Sequence, residues 1–396
     1  MPGPSLALRN LRTFVIVLVL AVHSVLAYLG SLPQTQFAFD SPPYRWRSIP
    51  IVDSERWFGF DLFCAHQDIY LISLLFFLSG LFVWPSLARK GSDVFMRERL
   101  LRLGVPFALA EIFLMPLAHY PVYRVTAIDP SVIAFWQHWL ALPFWPSGPP
   151  WFLWVLLVFD LAAAGLFMFA RRWGDALGRW STRPELFLVG MLAASAVGYV
   201  PMALAFTPWE TFQIGPFGIQ LSRPLHYAVY FFAGVGIGAR GIERGLLAAD
   251  GLLARHWAAW LAAAMVLYGL WLGITSLAMA GNASFAVDTL DAFSFVLACF
   301  SGCMCALALF LRFANRRLRM LEVLNDNAYG MYLIHYVFVI WLQYLLLGAA
   351  IFAVVKGIMV FTGTVLLSWA ATAAIRCVPA AARVIGTDAH VVPRIP

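Results

Sequence analysis

Residues 12–30 read RTFVIVLVLAVHSVLAYLG, an apolar run that starts at Arg12 and is interrupted by His23. As a helix, a run of this length extends about 30 Å, the thickness of the hydrocarbon core of a bilayer. Eleven residues complete almost three turns, so Arg12 and His23 share one face, roughly 16 Å apart along the axis. We predict a retained first transmembrane helix, with Arg12 at one membrane surface and His23 at the middle or beyond. A histidine at that depth is either a functional group or the partner of a neighbouring helix.

The rest of the chain repeats this apolar pattern. Its 396 residues are 62% apolar and 12% charged, with a mean hydropathy of +0.80, whereas soluble domains average about 25% charged residues. Apolar runs of about 20 residues recur, which favours helices over the alternating strands of a membrane barrel. We predict an all-α polytopic membrane protein, a bundle of about ten transmembrane helices, at approximately residues 12–30, 68–88, 100–118, 150–170, 185–206, 225–241, 256–280, 286–311, 328–347 and 350–375.

The positions of the basic residues predict the orientation of the bundle. With the N- and C-termini in the cytoplasm, 21 of the 27 Lys and Arg residues fall in cytoplasmic segments and five in outer loops. This bias over short loops follows the positive-inside rule. Topology therefore explains the net charge of +7, and we expect no nucleic-acid partner. Residues 1–376 are predicted to form a single transmembrane domain, followed by a short cytoplasmic tail at 377–396.

Two further patterns are assigned to helix packing. Cys299, Cys303 and Cys305 lie in one apolar run, where we expect no His or carboxylate partner and predict no metal site. The run GVGIG at 234–238 follows no strand, so it predicts close helix packing rather than a nucleotide-binding turn.

Two long predicted outer loops, 31–67 and 119–149, are rich in proline and aromatic residues. Loops of this length in a compact bundle are typically binding surfaces or lids. Aromatic and acidic side chains together suit the faces and hydroxyls of sugars, but Trp and Tyr also concentrate at any bilayer interface. Composition leaves both interpretations open.

Several ionisable residues can carry chemistry. Arg99 and Arg102 are three residues apart and share a helical face at the predicted cytoplasmic surface, to which Arg12 also belongs. Such a set can clamp the phosphates of a large anionic cofactor; the alternative is membrane anchoring through anionic lipids. Asp160 lies within the fourth predicted span, as part of a polar network or as a substrate contact. His335 lies beside a tyrosine stripe in the ninth, a pattern more often found in interior packing.

Five features in a fixed order resemble the membrane-bound acyltransferase-3 family over nearly the whole chain. They are the Arg12-to-His23 spacing, FFLSG at 76–80, RLLR at 99–102 with Pro106, WFL at 151–153, and YGMYLIH at 329–335. RLGVP at 102–106 and the WFL form look most like the branch of periplasmic glucan succinyltransferases.

The resemblance implies transfer of an acetyl or succinyl group from cytoplasmic acyl-CoA, a co-substrate, to a hydroxyl of an extracytoplasmic glycan or glycolipid. It also implies a bacterial inner membrane, membrane lipids as neighbours and no permanently bound cofactor. In the implied site His23 is the catalytic histidine. The acyl-CoA-binding arginines are Arg12, Arg99 and Arg102. The supporting or acceptor-side residues are Trp151, Asp160, Tyr332 and His335.

Departures and alternatives accompany this prediction. Many family members have a glutamate where this chain has Leu156, and often a serine where it has Ala328, so neither family role is carried over. His23 would act as a general base or become transiently acylated. One alternative is a transporter with a path through the ionisable residues within its spans, namely His23, Asp160, His335 and Lys356. Another is a non-catalytic partner that binds envelope polymers through its aromatic outer loops.

Overall fold

Ten long helices dominate the computed structural model, which describes residues 6–180, 183–207, 210–242 and 245–385. In chain order they are α1 Leu6–Val25, α2 Phe58–Gly80, α3 Ser92–Thr126, α4 Trp151–Phe169, α5 Pro184–Phe206, α6 Pro224–Arg240, α7 Trp257–Leu277, α8 Phe285–Phe313, α9 Ala328–Leu345 and α10 Ala353–Arg376. Among the described residues, nine helices are long and apolar enough to cross a membrane, and α6, with 17 residues, is the tenth long helix. The prediction of an all-α polytopic membrane protein is confirmed.

Shorter elements connect and cover the bundle. The short helices are Val83–Lys90, Val132–Ala141, Arg171–Trp180, Leu252–Arg255, Arg319–Asn325 and Pro379–Ile385. Strands β1 Thr211–Ile214 and β2 Phe217–Gln220 form an antiparallel hairpin in which Thr211 lies opposite Gln220. Its turn contains Gly215 at φ +52°, a conformation that glycine adopts readily. In the predicted tail at 377–396, residues Pro379–Ile385 form a short helix. Residues 386–396 lie outside the described part of the chain.

The outer boundaries of two helices differ from the prediction. α2 begins at Phe58 rather than at 68, and α3 runs to Thr126 rather than to 118, so both outer loops are shorter than predicted. The added turns carry polar residues, which interrupt the apolar pattern from which the spans were predicted. Two of these residues form hydrogen bonds within the protein: Asp61 Oδ2 accepts the Gly30 N–H at 2.6 Å, and His119 Nδ1 lies 2.8 Å from the Met115 carbonyl oxygen.

α1 lies at the centre of the bundle, packed against α2, α8, α9 and α10. By contrast, only 6% of the most apolar stretch of α7 is buried within the protein. A helix that is apolar on all sides but scarcely covered by protein is suited to lipid. The first helix is therefore placed to carry an interior site, whereas α7 faces the bilayer.

Glycines let α2 and α6 pack backbone against backbone. A Cβ atom at Gly80 would lie 2.1 Å from the carbonyl oxygen of Phe231, and one at Gly234 would lie 2.2 Å from that of Phe77. Atoms cannot approach so closely, so larger residues would force the helices apart. The interpretation of the GVGIG run as a packing motif is confirmed.

Gly234→Val is expected to lower the thermal unfolding midpoint of the detergent-solubilised protein, since overpacking costs about 1–3 kcal/mol or more. Thermal unfolding followed by intrinsic fluorescence measures the change. Gly269→Ala is the matched control, because a Cβ at Gly269 meets no atom within 4 Å and alanine is the better helix former. An unchanged midpoint in Gly234→Val would contradict the packing argument.

A buried ion pair connects the segment between α1 and α2 to α10. Lys356 Nζ lies 2.8 Å from both carboxylate oxygens of Asp53, and both side chains are fully buried. The Asp53 N–H also donates to the Ala27 carbonyl oxygen at 2.9 Å. Removing either charge would leave the other buried without a partner. The segment between α1 and α2 is thereby held over the outer ends of α1 and α10.

Candidate active site

A cavity of about 840 Å³, the inner cavity, lies at the end of the bundle predicted to be cytoplasmic. Its lining has six cationic side chains and one carboxylate, namely Arg12, Arg89, Lys90, Arg99, Arg102, Arg240 and Glu98. Deeper in the cavity the wall is apolar and includes Phe152, Leu153 and Leu156. A cationic mouth with an apolar throat suits a ligand that has an anionic head and a less polar arm.

Asp160 holds Arg99 at the mouth of the inner cavity. Arg99 Nε lies 3.2 Å from Asp160 Oδ2, and the Asp160 side chain is fully buried. The guanidinium also lies over the Phe95 ring, with Cζ 4.9 Å from the ring centroid. A carboxylate at this depth needs a cation beside it. Asp160 therefore forms an ion pair with an arginine of the inner cavity.

Arg102 lies in a π-helical turn of α3, Leu100–Gly104. Such turns insert an extra residue into a helix and occur often at functional sites. The Tyr329 hydroxyl donates to the Arg102 carbonyl oxygen, which ties α9 to this turn. Both arginines of the predicted pair line the inner cavity, together with Arg12.

A second cavity of about 390 Å³, the outer cavity, lies beneath the segments predicted to be outer. Its lining combines polar and aromatic side chains, including His23, Arg47, Ser48, Gln67, Asp68, Ser147, Trp151, Thr211, Gln213, Gln220, Arg223, Tyr227, Tyr332 and Tyr336. Hydroxyl, amide and ring groups of this kind suit the hydroxyls and faces of a sugar.

Tyr332 separates the two cavities. It is the one described residue that lines both, and its hydroxyl donates to the Pro149 carbonyl oxygen at 2.5 Å. This bond joins α9 to the turn that precedes α4. The face of α1 follows the same division, because Arg12 and Ile16 line the inner cavity while Val19 and His23 line the outer one.

His23 is oriented by a backbone carbonyl and by a second histidine. His23 Nδ1 lies 2.9 Å from the Val19 carbonyl oxygen and 3.1 Å from His335 Nε2, while His335 Nδ1 lies 2.6 Å from the Tyr332 carbonyl oxygen. A carbonyl only accepts, so we assign a proton to Nδ1 of each ring. His335 Nε2 then accepts from His23, and His23 Nε2 is left unprotonated. His23 can therefore take a proton from a group in the outer cavity.

The outer cavity is walled by three outer segments that Gln213 joins. Gln213 Nε2 donates to the Trp145 carbonyl oxygen at 3.0 Å, and its Oε1 accepts from Arg47 Nη1 at 3.3 Å. The two predicted loops supply Arg47 and Trp145, but the sequence analysis missed the hairpin that carries Gln213. The signal available for it was the Gly215-Pro216 pair between two short runs of strand-forming residues.

The expectation that the cysteine cluster has no histidine partner is wrong. His226 Nε2 lies 3.3 Å from Cys299 Sγ, and His226 Nδ1 lies 2.9 Å from Ser195 Oγ. All three residues are fully buried, and none of them lines either cavity. The contact was missed because it joins α5, α6 and α8, whose residues are far apart in sequence.

The structure brings most of the candidate residues to the two cavities. Arg12, Arg99, Arg102 and Tyr332 line the inner one, His23, Trp151 and Tyr332 the outer one, His335 contacts His23, and Asp160 pairs with Arg99. The residues of the alternative transport path do not form one chain of contacts in the described part of the protein. The two histidines meet, whereas Asp160 and Lys356 belong to separate ion pairs.

Comparison with known proteins identifies the family. A family model described as an acyltransferase domain matches residues 5–373. No curated protein and no solved structure matches the chain. The family match extends over all ten long helices but for the last turn of α10, and hence over both cavities and both histidines. The chain therefore belongs to the acyltransferase-3 family of membrane proteins.

Proposed function

We propose that this protein transfers an acyl group from acyl-CoA in the inner cavity to a hydroxyl of an extracytoplasmic glycan or glycolipid in the outer cavity. The observation that carries the proposal is the pair of cavities that share Tyr332 as a wall, with His23 in the lining of one and five arginines in that of the other. Such an arrangement lets a donor and an acceptor reach one point from opposite sides of a bacterial inner membrane.

The inner cavity supplies the groups that acyl-CoA requires. Its arginines would bind the phosphates through charge-assisted hydrogen bonds, which are often bidentate. The apolar wall at Phe152 and Leu153 suits the pantetheine arm, which would extend towards Tyr332. Arg12 would lie at the phosphate end of this route, about 16 Å along α1 from His23.

Acyl transfer at this point uses His23 as the general base. His23 Nε2 takes the proton of the acceptor hydroxyl as its oxygen attacks the thioester carbonyl carbon. The C–S bond then breaks, and the proton passes to the leaving CoA thiolate. Val19 and His335 stabilise the transient imidazolium through its Nδ1–H. A covalent route, in which His23 itself takes the acyl group, uses the same nitrogen.

Trp151 is proposed to form an acceptor-side surface. It lines the outer cavity, and its ring lies 6.0 Å from that of Tyr227 with an interplanar angle of 29°. Flat aromatic surfaces of this kind suit the apolar face of a pyranose.

The acyl group is acetyl or succinyl, and the succinyltransferase branch stays a prediction.

The function is tested by incubating the purified protein with labelled acetyl-CoA or succinyl-CoA and a series of envelope glycans. Appearance of label on a glycan, with release of free CoA, supports acyl transfer. Uptake of glycan into vesicles without transfer of the label would favour the transporter instead. Mass spectrometry of envelope glycans from cells with and without the protein then names the acyl group by its mass.

His335 is proposed as a positioning residue, and His335→Ala is expected to lower kcat by about ten-fold with both KM values unchanged. The reason is that His23 loses the acceptor that helps to hold its Nδ1–H. Steady-state kinetics on the purified variant measure the change. His335→Gln keeps an acceptor oxygen and should recover part of the loss, whereas equal losses in both variants would favour a packing role.

A further inference from the structure

Among the described residues, the outer cavity carries one positive charge that no carboxylate neutralises. Its charged lining residues are Arg47, Asp68 and Arg223. Arg223 and Asp68 form a bidentate pair, with Nη1 to Oδ1 at 2.9 Å and Nη2 to Oδ2 at 2.5 Å. These two charges cancel, so Arg47 sets the net charge of the cavity wall.

The Arg47 guanidinium uses few of its N–H donors for hydrogen bonds within the described part of the protein. In the described part of the chain its side chain makes one hydrogen bond, to Gln213 Oε1 at 3.3 Å, and has no carboxylate within 4 Å. A guanidinium has five N–H donors and stays protonated in proteins. Partial burial lowers the pKa of Arg47 below its usual value, and only the weaker effect of Tyr44 opposes the shift. Arg47 is thus a partly desolvated cation that lacks a partner anion.

An aromatic ring lies against the Arg47 guanidinium. Arg47 Cζ lies 4.4 Å from the centroid of the Phe144 ring, a cation–π contact that favours this position of the side chain. Neutral donors line the same cavity, including Ser48 and Thr211. A planar fork beside hydroxyls matches the geometry of a carboxylate or a phosphate.

We propose that the outer cavity selects an acceptor glycan that bears a carboxylate or a phosphate, and that Arg47 binds this anionic group. The inference rests on the proposed function, because it treats the outer cavity as the acceptor site. Arg47 belongs to the outer segment Arg45–Arg47, whereas the acyl group would arrive from the inner cavity past Tyr332. The charge is therefore assigned to the acceptor rather than to the acyl group.

Equilibrium binding to the purified protein in lipid nanodiscs tests the inference without any acyl transfer. The probes are oligosaccharides of equal length built from glucose, glucuronic acid or glucose phosphate. At least one charged probe should bind about ten-fold more tightly than the neutral one at low salt, as expected for hydrogen bonds to a charged group. Arg47→Ala and Arg47→Gln should abolish this preference, so that each variant binds the charged and the neutral probes with equal affinity.

Arg45→Ala is the matched control. Arg45 lies in the same short turn and is exposed, but it does not line the cavity, so this variant removes the same charge and should keep the preference. Equal binding of all probes by the unmodified protein, failure of every probe to bind, or an equal loss in the Arg45 and Arg47 variants would each overturn the inference.

Steady-state kinetics distinguish an anionic group on the acceptor from one on the acyl group. If the anion belonged to the acyl group, Arg47→Ala would raise KM for succinyl-CoA but not for acetyl-CoA, and the charged oligosaccharides would bind no better than neutral ones. That pattern would overturn the acceptor assignment. Absence of acyl transfer from every donor, together with an intact binding preference, would instead refute the proposed function alone.

Discussion

Replacing His23 by alanine is expected to lower kcat for acyl transfer by at least about 100-fold, the smallest contribution typical of a positioned general base. The variant removes the unprotonated Nε2 from the outer cavity and nothing from the inner one. KM for acyl-CoA should therefore stay unchanged. Transfer of label from acyl-CoA to glycan by the purified variant measures both constants.

Ser24→Ala is the matched control for this variant. Ser24 follows His23 on α1, is buried, and hydrogen-bonds to the Leu20 carbonyl oxygen at 2.7 Å without lining a cavity. It tests whether any change in this turn of α1 disturbs the fold. His23→Ala with near-normal transfer would remove His23 from the mechanism, and equal losses in both variants would show that the effect is structural.

Mass spectrometry can distinguish the two roles open to His23. Under single-turnover conditions without acceptor, a covalent route leaves the acyl group on the peptide that contains His23. A general-base route leaves that peptide unmodified and releases CoA only when the acceptor is added. An unmodified peptide would also result if His23 took no part in the reaction, so this measurement is read together with the kcat of His23→Ala.

The sequence could predict what helical periodicity alone determines. Arg12 and His23 share a face of α1 because eleven residues make nearly three turns, and the structure divides that face between the two cavities. The fold class follows from apolar runs long enough to span a bilayer. The outer ends of α2 and α3 were misjudged because polar residues in the first turns of α2 and the last turns of α3, such as Asp61 and His119, interrupt the apolar pattern but form hydrogen bonds within the protein.

The sequence could not predict which helix faces meet. His335 reaches His23 across 312 residues, and His226 reaches Cys299 across 73, through packing that no local pattern specifies. Apolar periodicity indicates the buried face of a helix but not its neighbour. The same holds for Asp160, whose partner Arg99 lies on another helix. The hairpin at 211–220 has short strands, which are easily lost between long apolar runs.

The second large effect is expected at the inner cavity, where Arg102→Ala should raise KM for acyl-CoA by about 10- to 100-fold. The reason is that a charge-assisted contact to a phosphate is lost while the reacting groups at His23 stay in place. The kcat value should change little. Steady-state kinetics with varied acyl-CoA and saturating glycan measure the effect.

Two controls identify the phosphates as the target of Arg102. Acyl-pantetheine has the thioester but not the nucleotide phosphates, so its KM should be the same in the unmodified protein and in Arg102→Ala. Arg255→Ala removes an exposed arginine at the same end of the bundle that does not line the cavity. Equal effects on both donors, or equal effects of both substitutions, would favour membrane anchoring over acyl-CoA binding.

Arg99 requires a paired design, because its removal alone would leave Asp160 charged and fully buried. Breaking a buried pair on one side costs about 3–5 kcal/mol, which could unfold the protein and mimic a loss of binding. The double variant Arg99→Gln/Asp160→Asn removes both charges and keeps two polar side chains, so it should fold and still show the raised KM for acyl-CoA. Asp160→Asn alone keeps the guanidinium but not its anchor, and should raise that KM less. A double variant with normal thermal stability and normal KM would show that this pair serves the fold and not the donor.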